Sequence, residues 1–173
     1  MSIEEQEGNG GATAEGGRVL IIDDDPSVRK LMKVILSREG HSVAEAGDAA
    51  SALGLLLDFD ADVVISDIQM PGIDGLALLP VLKTRYPTTE VIVMTAYGTV
   101  EKAITALKEG AYDFLTKPFE DVSVVSGVVA DALEKRRLRE RAINLENAVE
   151  VSERFEDLVG GATSMQEVYR LIE

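Results

Sequence analysis

The chain has 173 residues, with 31 Asp and Glu against 17 Lys and Arg, a formal net charge of -14, one histidine and no cysteine. That length suits one domain with tails, and 46% hydrophobic residues supply a core. The composition excludes disulfides, thiolate zinc sites and cysteine nucleophiles, and with one histidine it leaves Ser-His-Asp or multi-histidine chemistry almost no material. It also argues against direct nucleic-acid contact by this segment, because a phosphate backbone meets mostly like charge.

No apolar run reaches the roughly 18 residues of a membrane span, and the N-terminus has no apolar signal core, so no membrane contact and a cytoplasmic location are expected. Residues 1–17 are Gly-rich and acidic, without Lys or Arg, and read as a disordered tail. From Arg18 the pattern changes. Val19-Leu20-Ile21-Ile22 is a short, continuous apolar run, as expected of a strand buried on both faces, and it ends in Asp23-Asp24-Asp25-Pro26. Asp25 suits a helix cap and Pro26 the first helical position; the helix that follows places Val28, Leu31, Met32 and Ile35 on one face and stops at Gly40.

The unit then repeats. His41 to Ala46 is a weaker strand, with His41 a plain loop residue at its start. Asp48 caps a helix running through Leu57. Asp62 to Ser66 is a buried strand that ends at Asp67. Met70 to Gly75 is a turn whose Gly72 and Gly75 supply turn chemistry, with Asp74 a turn or cap residue. Leu76 to Arg85 is a helix, Glu90 to Met94 a strand ending at Thr95-Ala96, and Thr99 to Glu109 a helix stopped by Gly110. Ala111 to Leu115 is a strand ending at Thr116-Lys117-Pro118, and a long helix begins near Glu120. Five alternations predict an α/β fold: a doubly wound, five-stranded parallel sheet in the order 2-1-3-4-5 with an extended C-terminal helix.

In such a sheet the ligand site lies at the carboxyl ends of the strands. Those ends carry Asp23 and Asp24, then Asp67, Thr95 and Lys117, each directly after an apolar run. Three carboxylates brought together repel, so the site calls for a cation. A hard divalent ion with oxygen ligands, Mg²⁺, matches that donor set. With Lys117 as a second positive charge and Thr95 as a hydroxyl donor, the set can stabilise a phosphoryl group in transfer to a carboxylate nucleophile.

The segments VLIIDDDPSVRK, VVISDIQMPGIDGLALL, VIVMTAYGTVEKAI and GAYDFLTKPFE together resemble the receiver domain of two-component response regulators, from Arg18 to about Ala132. The resemblance implies the flavodoxin-like receiver fold and a phosphorelay switch rather than an enzyme. It makes Asp67 the phosphoacceptor, charged by a sensor histidine kinase. Asp24 would bind Mg²⁺ directly, Asp23 mostly through water, and the Gln69 backbone carbonyl would complete the ligands with Asp67. Thr95 and Phe114 would form the switch pair, with Lys117 at the phosphoryl group. Many members of the family carry Tyr where this chain has Phe114, which has no hydroxyl. The Lys117-Pro118 peptide would be cis.

The receiver is expected over 18–134 and a helical linker over 135–152. Past Lys135-Arg136-Arg137 an apolar seam continues at Leu138, Ala142, Leu145 and Val149 in heptad steps, suggesting a short coiled coil between two copies of the chain. The basic cluster from Lys135 to Arg141 reads as a solvated helix face. Over 153–173, Phe155-Glu156-Asp157-Leu158-Val159-Gly160 and Met165-Gln166-Glu167-Val168 resemble the opening of the AAA+ ATPase domain of nitrogen-regulatory-protein-C-type activators. That resemblance implies a role on RNA polymerase bearing the sigma-N factor. The phosphate-cradling G-x-x-x-x-G-K-[ST] motif is absent, so this chain is not expected to hydrolyse ATP.

Three rival readings fit the sequence less well. A Mg²⁺-dependent phosphohydrolase with an aspartyl-phosphate intermediate needs a second Asp two residues after the nucleophile, where this chain has Gln69. A flavin module would place its phosphate loop at Asp23-Asp24-Asp25, which repels phosphate. A degenerate receiver serving only as an interaction module does not call for the complete acid, hydroxyl and lysine set.

Overall fold

The computed structural model describes residues 16–96 and 100–170, with side chains described to residue 155. Residues 1–15 of the tail expected over 1–17 lie outside the described residues. Among those described, five strands and five helices alternate: β1 (Arg18–Ile22), α1 (Pro26–Arg38), β2 (Ser42–Ala46), α2 (Ala49–Leu55), β3 (Val63–Asp67), α3 (Gly75–Arg85), β4 (Glu90–Ala96), α4 (Val100–Lys108), β5 (Asp113–Lys117) and α5 (Val122–Arg170). Every strand pair is parallel, and the sheet order is β2-β1-β3-β4-β5, as the alternation predicts.

The apolar runs are continuous because both faces of the sheet are covered. Leu20, Ile22, Val64, Val91 and Val93 pack under α2, α3 and α4, where Ala52, Leu78, Leu79, Leu82, Ala103 and Ala106 meet them. The alternate residues Val19, Ile21, Val63, Ile65, Ile92 and Met94 face α1 and α5, against Met32, Leu36, Val125, Val129 and Leu133. Successive strand side chains point to opposite faces, so one run feeds two cores.

The helix starts follow from short acidic side chains. Asp25 accepts from Ser27 N, Asp48 from Ser51 N, Asp74 from Leu76 N and Asp121 from Ser123 N, at 2.8, 2.7, 3.0 and 2.8 Å. Pro26 occupies the start of α1. Gly40, Gly72 and Gly110 take positive φ, of 87, 88 and 102°. The Lys117-Pro118 peptide is cis.

Four expectations need correction. Leu31 is 46% exposed and Leu36 is buried in its place, because Met32, Ile35 and Leu36 share the face that α1 turns to the sheet. Order reaches back to Gly17, whose N–H donates to His41 Nδ1 at 3.0 Å and whose carbonyl accepts from Ser42 N at 2.9 Å. Gly75 has no positive φ; it is the first residue of α3, and its lack of a side chain serves close packing instead. The basic cluster on α5 is not a solvated face throughout: Arg136 is 4% exposed and pairs with Asp62, while Lys135 and Arg139 pair with the fully buried Glu90.

Beyond residue 140 the helix carries only exposed side chains as far as residue 155. Leu138, Leu145 and Val149 of the seam are 56, 68 and 57% exposed. The helix itself runs on to Arg170, through the segment whose sequence resembles an ATPase opening. Among the described residues no helix is long and apolar enough to cross a membrane.

Burial alone would raise the Asp62 pKa, but hydrogen bonds from the Arg18 side chain and backbone and the charge of Arg136 outweigh it and hold it below the usual carboxylate range. A depressed folded-state pKa contributes stability at neutral pH that is lost as the pH falls through the ordinary carboxylate range towards the depressed value. Asp62→Asn should therefore cost about 2 kcal/mol at neutral pH, the scale of hydrogen bonds to a charged group, and less in acid. Urea unfolding of both proteins across that range checks it; parallel pH profiles refute the assignment.

Candidate functional site

The loop after β1 is built tightly. Asp23, fully buried, follows the last apolar residue of the strand and accepts from Asp25 N through Oδ1 at 2.9 Å. Its own N–H donates to the Ala46 carbonyl at 3.2 Å. Arg29, one turn into α1, donates to the carbonyls of Asp23 and Asp24 at 2.7 and 3.2 Å. This brace leaves the Asp24 side chain exposed and the Asp23 side chain turned inward. Nothing in the sequence marked Arg29, because its role is to carbonyls that any residue supplies.

Asp67 ends β3 and is 5% exposed. Its Oδ1 accepts from Gln69 N at 3.1 Å, so the peptide of Gln69 lies at the carboxylate. Its Oδ2 lies 2.9 Å from Lys117 Nζ. The same ammonium lies 2.9 Å from Asp23 Oδ2, so one cation at the end of β5 bridges carboxylates from β1 and β3. Oxygen atoms of Asp23, Asp24 and Asp67 all lie within 4.8 Å of one another. The topology accounts for the meeting: β1 and β3 are neighbours, and the connections that leave them run to opposite faces of the sheet.

The electrostatics show an excess of negative charge. Burial pushes the Asp23 carboxyl above its usual range; the Lys117 and Asp25 contacts only partly oppose this, and the charge of Asp67 adds to it. Burial works against the Lys117 charge, but hydrogen bonds to Asp67 and Asp23 outweigh it and hold that pKa above the ordinary lysine value. Burial drives the first shift and the two carboxylate contacts the second; the cluster itself sets three carboxylates against the Lys117 ammonium. Hard oxygen donors converging on a small, cation-poor space fit a divalent ion such as Mg²⁺.

Thr95 is fully buried near the end of β4, and its hydroxyl contacts the Ala96 carbonyl at 3.4 Å. Val93 is in register with Phe114, and Thr95 with Thr116, which puts Thr95 and Phe114 on the sheet face that α4 covers. Phe114 is partly buried against that core and lines a groove of about 450 Å³ with Pro118, Phe119, Val124 and Val125. The segment 97–99 after Thr95 lies outside the described residues. The sequence-predicted residues Asp23, Asp24, Asp67 and Lys117 are thus brought into one cluster, with the Gln69 peptide attached to it.

The segment 19–129 matches the response regulator receiver domain family. The chain belongs to that family. Among curated relatives it is 38% identical over 156 residues to the DNA-binding transcriptional regulator NtrC of Proteus hauseri, covering 90% of this chain and 32% of that protein. It is 32% identical over 151 residues to the regulatory protein AtoC of Escherichia coli, covering 87% of this chain and 32% of that one. The chain therefore spans about a third of the length of these relatives. Among solved structures it resembles the receiver domain of NtrX from Brucella abortus, with 40% identity, TM-score 0.65, and coverage of 67% of this chain and 98% of that one. It also resembles the beryllofluoride-activated NtrC4 receiver domain dimer, at 34% identity, TM-score 0.65, and coverage of 69 and 98%. This is a two-component response regulator receiver of the NtrC-like kind, and its acidic cluster is the one typical of the receiver metal site.

Gly75 belongs to the site as well. A Cβ there would lie 2.1 Å from the Asp67 carbonyl oxygen and 2.9 Å from Ile68 Cα, and the Gly75 N–H donates to the Ile68 carbonyl at 2.9 Å. The neighbours are backbone, which yields less easily than a flexible side chain. Gly75→Ala should cost about 1–3 kcal/mol, the range for forced overpacking, and should displace the loop after β3. Amide chemical shifts of Asp67 to Met70 should move while those of α5 stay in place; an unshifted loop refutes the close-approach argument.

Proposed function

We propose that the receiver takes a phosphoryl group on Asp67 from a sensor histidine kinase and relays the change to an attached ATPase and transcription-activator module. The observation that carries this reading is the bridging of Asp67 and Asp23 by Lys117 beside an exposed Asp24. Asp67 Oδ is the nucleophile: a new O–P bond forms as the P–N bond to the donor imidazole breaks, and that nitrogen takes up a proton. Lys117 holds the carboxylate in place and balances charge developing on the phosphoryl oxygens. Asp23, Asp24, Asp67 and the Gln69 carbonyl would hold Mg²⁺, which supplies Lewis-acid charge stabilisation when bound. Asp23 is engaged with Lys117 and buried, which suits contact through water better than direct ligation, and Asp24 is the open ligand.

After transfer, the Thr95 hydroxyl donates to a phosphoryl oxygen. That movement frees space on the sheet face it shares with Phe114 and biases one of two packings there. Phe114 responds by shape alone, since it carries no hydroxyl to re-pair. Gln69, standing where a hydrolase needs its second acid, supports a switch over a turnover enzyme.

The exposed seam of Leu138, Ala142, Leu145 and Val149 supports pairing of two copies along α5, because an uncovered stripe of this kind is commonly covered by a partner. The full protein would then act through its AAA+ domain on sigma-N RNA polymerase, with this fragment making no direct nucleic-acid contact.

Asp67→Asn keeps the shape and removes the nucleophilic charge, so labelling by acetyl phosphate with Mg²⁺ should vanish. Wild-type labelling should also fail in excess chelator. Undiminished labelling of the variant overturns the acceptor assignment, and labelling in chelator overturns the metal role. Sedimentation of this chain against one ending at Arg141 tests the pairing, since that end retains the Arg136 and Arg139 contacts. The longer protein should be dimeric and the shorter one monomeric or markedly weaker; equal behaviour refutes the helix contact.

A further inference from the structure

At the amino edge of the sheet, opposite the acidic cluster, two carboxylates grip α5 at Lys135, Arg136 and Arg139, where it leaves the sheet. Asp62 immediately precedes β3, and Glu90 opens β4. Asp62 N donates to the Arg18 carbonyl at 2.8 Å and Glu90 N to the Asp62 carbonyl at 3.1 Å, so the ends of β1, β3 and β4 are tied together here. Arg136 pairs with Asp62 and reaches Glu140 at 2.9 Å. The fully buried Glu90 takes Lys135 at 3.2 Å on Oε2 and Arg139 at 3.0 Å on Oε1, the second an ion pair lacking hydrogen-bond alignment. Arg139 also donates to the Pro87 carbonyl at 3.3 Å, and the Lys135 ammonium sits 4.8 Å from the Tyr112 ring centre.

All these helix residues lie beyond Leu133, which among the described residues is the last apolar residue of α5 buried in the core. Apolar packing alone would release the helix there. Buried ion pairs add little net stability over apolar packing, yet breaking one leaves an uncompensated charge, so they fix geometry more than they add strength.

We propose that this clamp is the joint through which the receiver sets the direction of α5. The rigid unit ends at about Glu140 rather than at the end of the apolar core. The strands whose carboxyl ends carry Asp23, Asp67 and Thr95 are β1, β3 and β4, and the same strands begin at or directly beside Arg18, Asp62 and Glu90. A change in strand placement at the acidic edge therefore reaches the base of the helix through continuous backbone. What the joint transmits rests on the phosphoryl-switch reading; the joint itself does not.

The chain has no cysteine, so introduced pairs take spin labels uniquely. Ser37→Cys with Asn147→Cys spans the clamp, and Ser37→Cys with Asp131→Cys stops short of it; all three sites are exposed. Labelled protein is diluted into unlabelled protein so that pairs within one chain dominate. In the wild type both pairs should give one narrow distance. Asp62→Asn with Glu90→Gln should lose the narrow distance for the pair that spans the clamp and keep it for the other. If that variant does not fold, Arg136→Gln with Arg139→Gln opens the clamp from the helix side and leaves Asp62 with Arg18 and Glu90 with Lys135. An unchanged distribution beyond the clamp in a folded variant overturns the proposal. Acetyl phosphate labelling of the same variants should match the wild type; a clamp variant that folds but labels poorly overturns the separation of joint from site. A wild type that never labels overturns the phosphoryl reading and leaves the joint standing.

Discussion

One ammonium between two carboxylates organises this molecule. Lys117 closes the sheet edge by reaching Asp23 from one neighbour of β3 and Asp67 at the end of β3 itself, both at 2.9 Å. Without it, a fully buried carboxylate would face a second one in a poorly solvated space, an arrangement that costs several kcal/mol or forces protonation. Even with it, burial holds the Asp23 proton more tightly than usual, and the hydrogen bonds to Asp67 and Asp23 outweigh burial and do the same for Lys117. Three carboxylates against one ammonium make the acidic cluster typical of a receiver metal site, and that charge balance is set by the fold rather than by one residue. The braces around it, Arg29 on the carbonyls of Asp23 and Asp24 and Gly75 against Asp67, keep the loops from relaxing that tension.

Much of this was legible in the sequence, and for a physical reason. A strand buried on both faces must be apolar throughout, so the point where it becomes polar marks the sheet edge. Asp23, Asp67 and Lys117 each stand at such a point. The caps were equally plain, because a short acidic side chain before a helical pattern has one common use there. The Leu31 position failed because an apolar stripe wider than the contact leaves the helix rotation open, and only the sheet decides that Leu36 is inside. Gly75 failed because a glycine after aspartate in a turn-rich run looks the same whether it supplies a positive φ or a close approach.

The basic stretch on α5 shows a different limit. Lys135, Arg136 and Arg139 have the spacing of a solvated face, and the carboxylates Glu90 and Asp62 that they meet at the sheet are 45 to 74 residues away in sequence. Periodicity sees the helix but not the carboxylates at the feet of β3 and β4. The clue that was present is Glu90 itself. An acid that begins a buried apolar strand has to be paired, and the pairing cations must come from an element that crosses that end of the sheet.

The length of α5 gives these few ion pairs a mechanical consequence. From Glu140 to Arg170 the helix advances 1.5 Å per residue, a span of about 45 Å. A reorientation of about 5° where it leaves the sheet sweeps the far end through about 4 Å. Motion of that size is comparable to one helical turn, so a receiver that barely changes shape can still alter which side chains meet at the distal end.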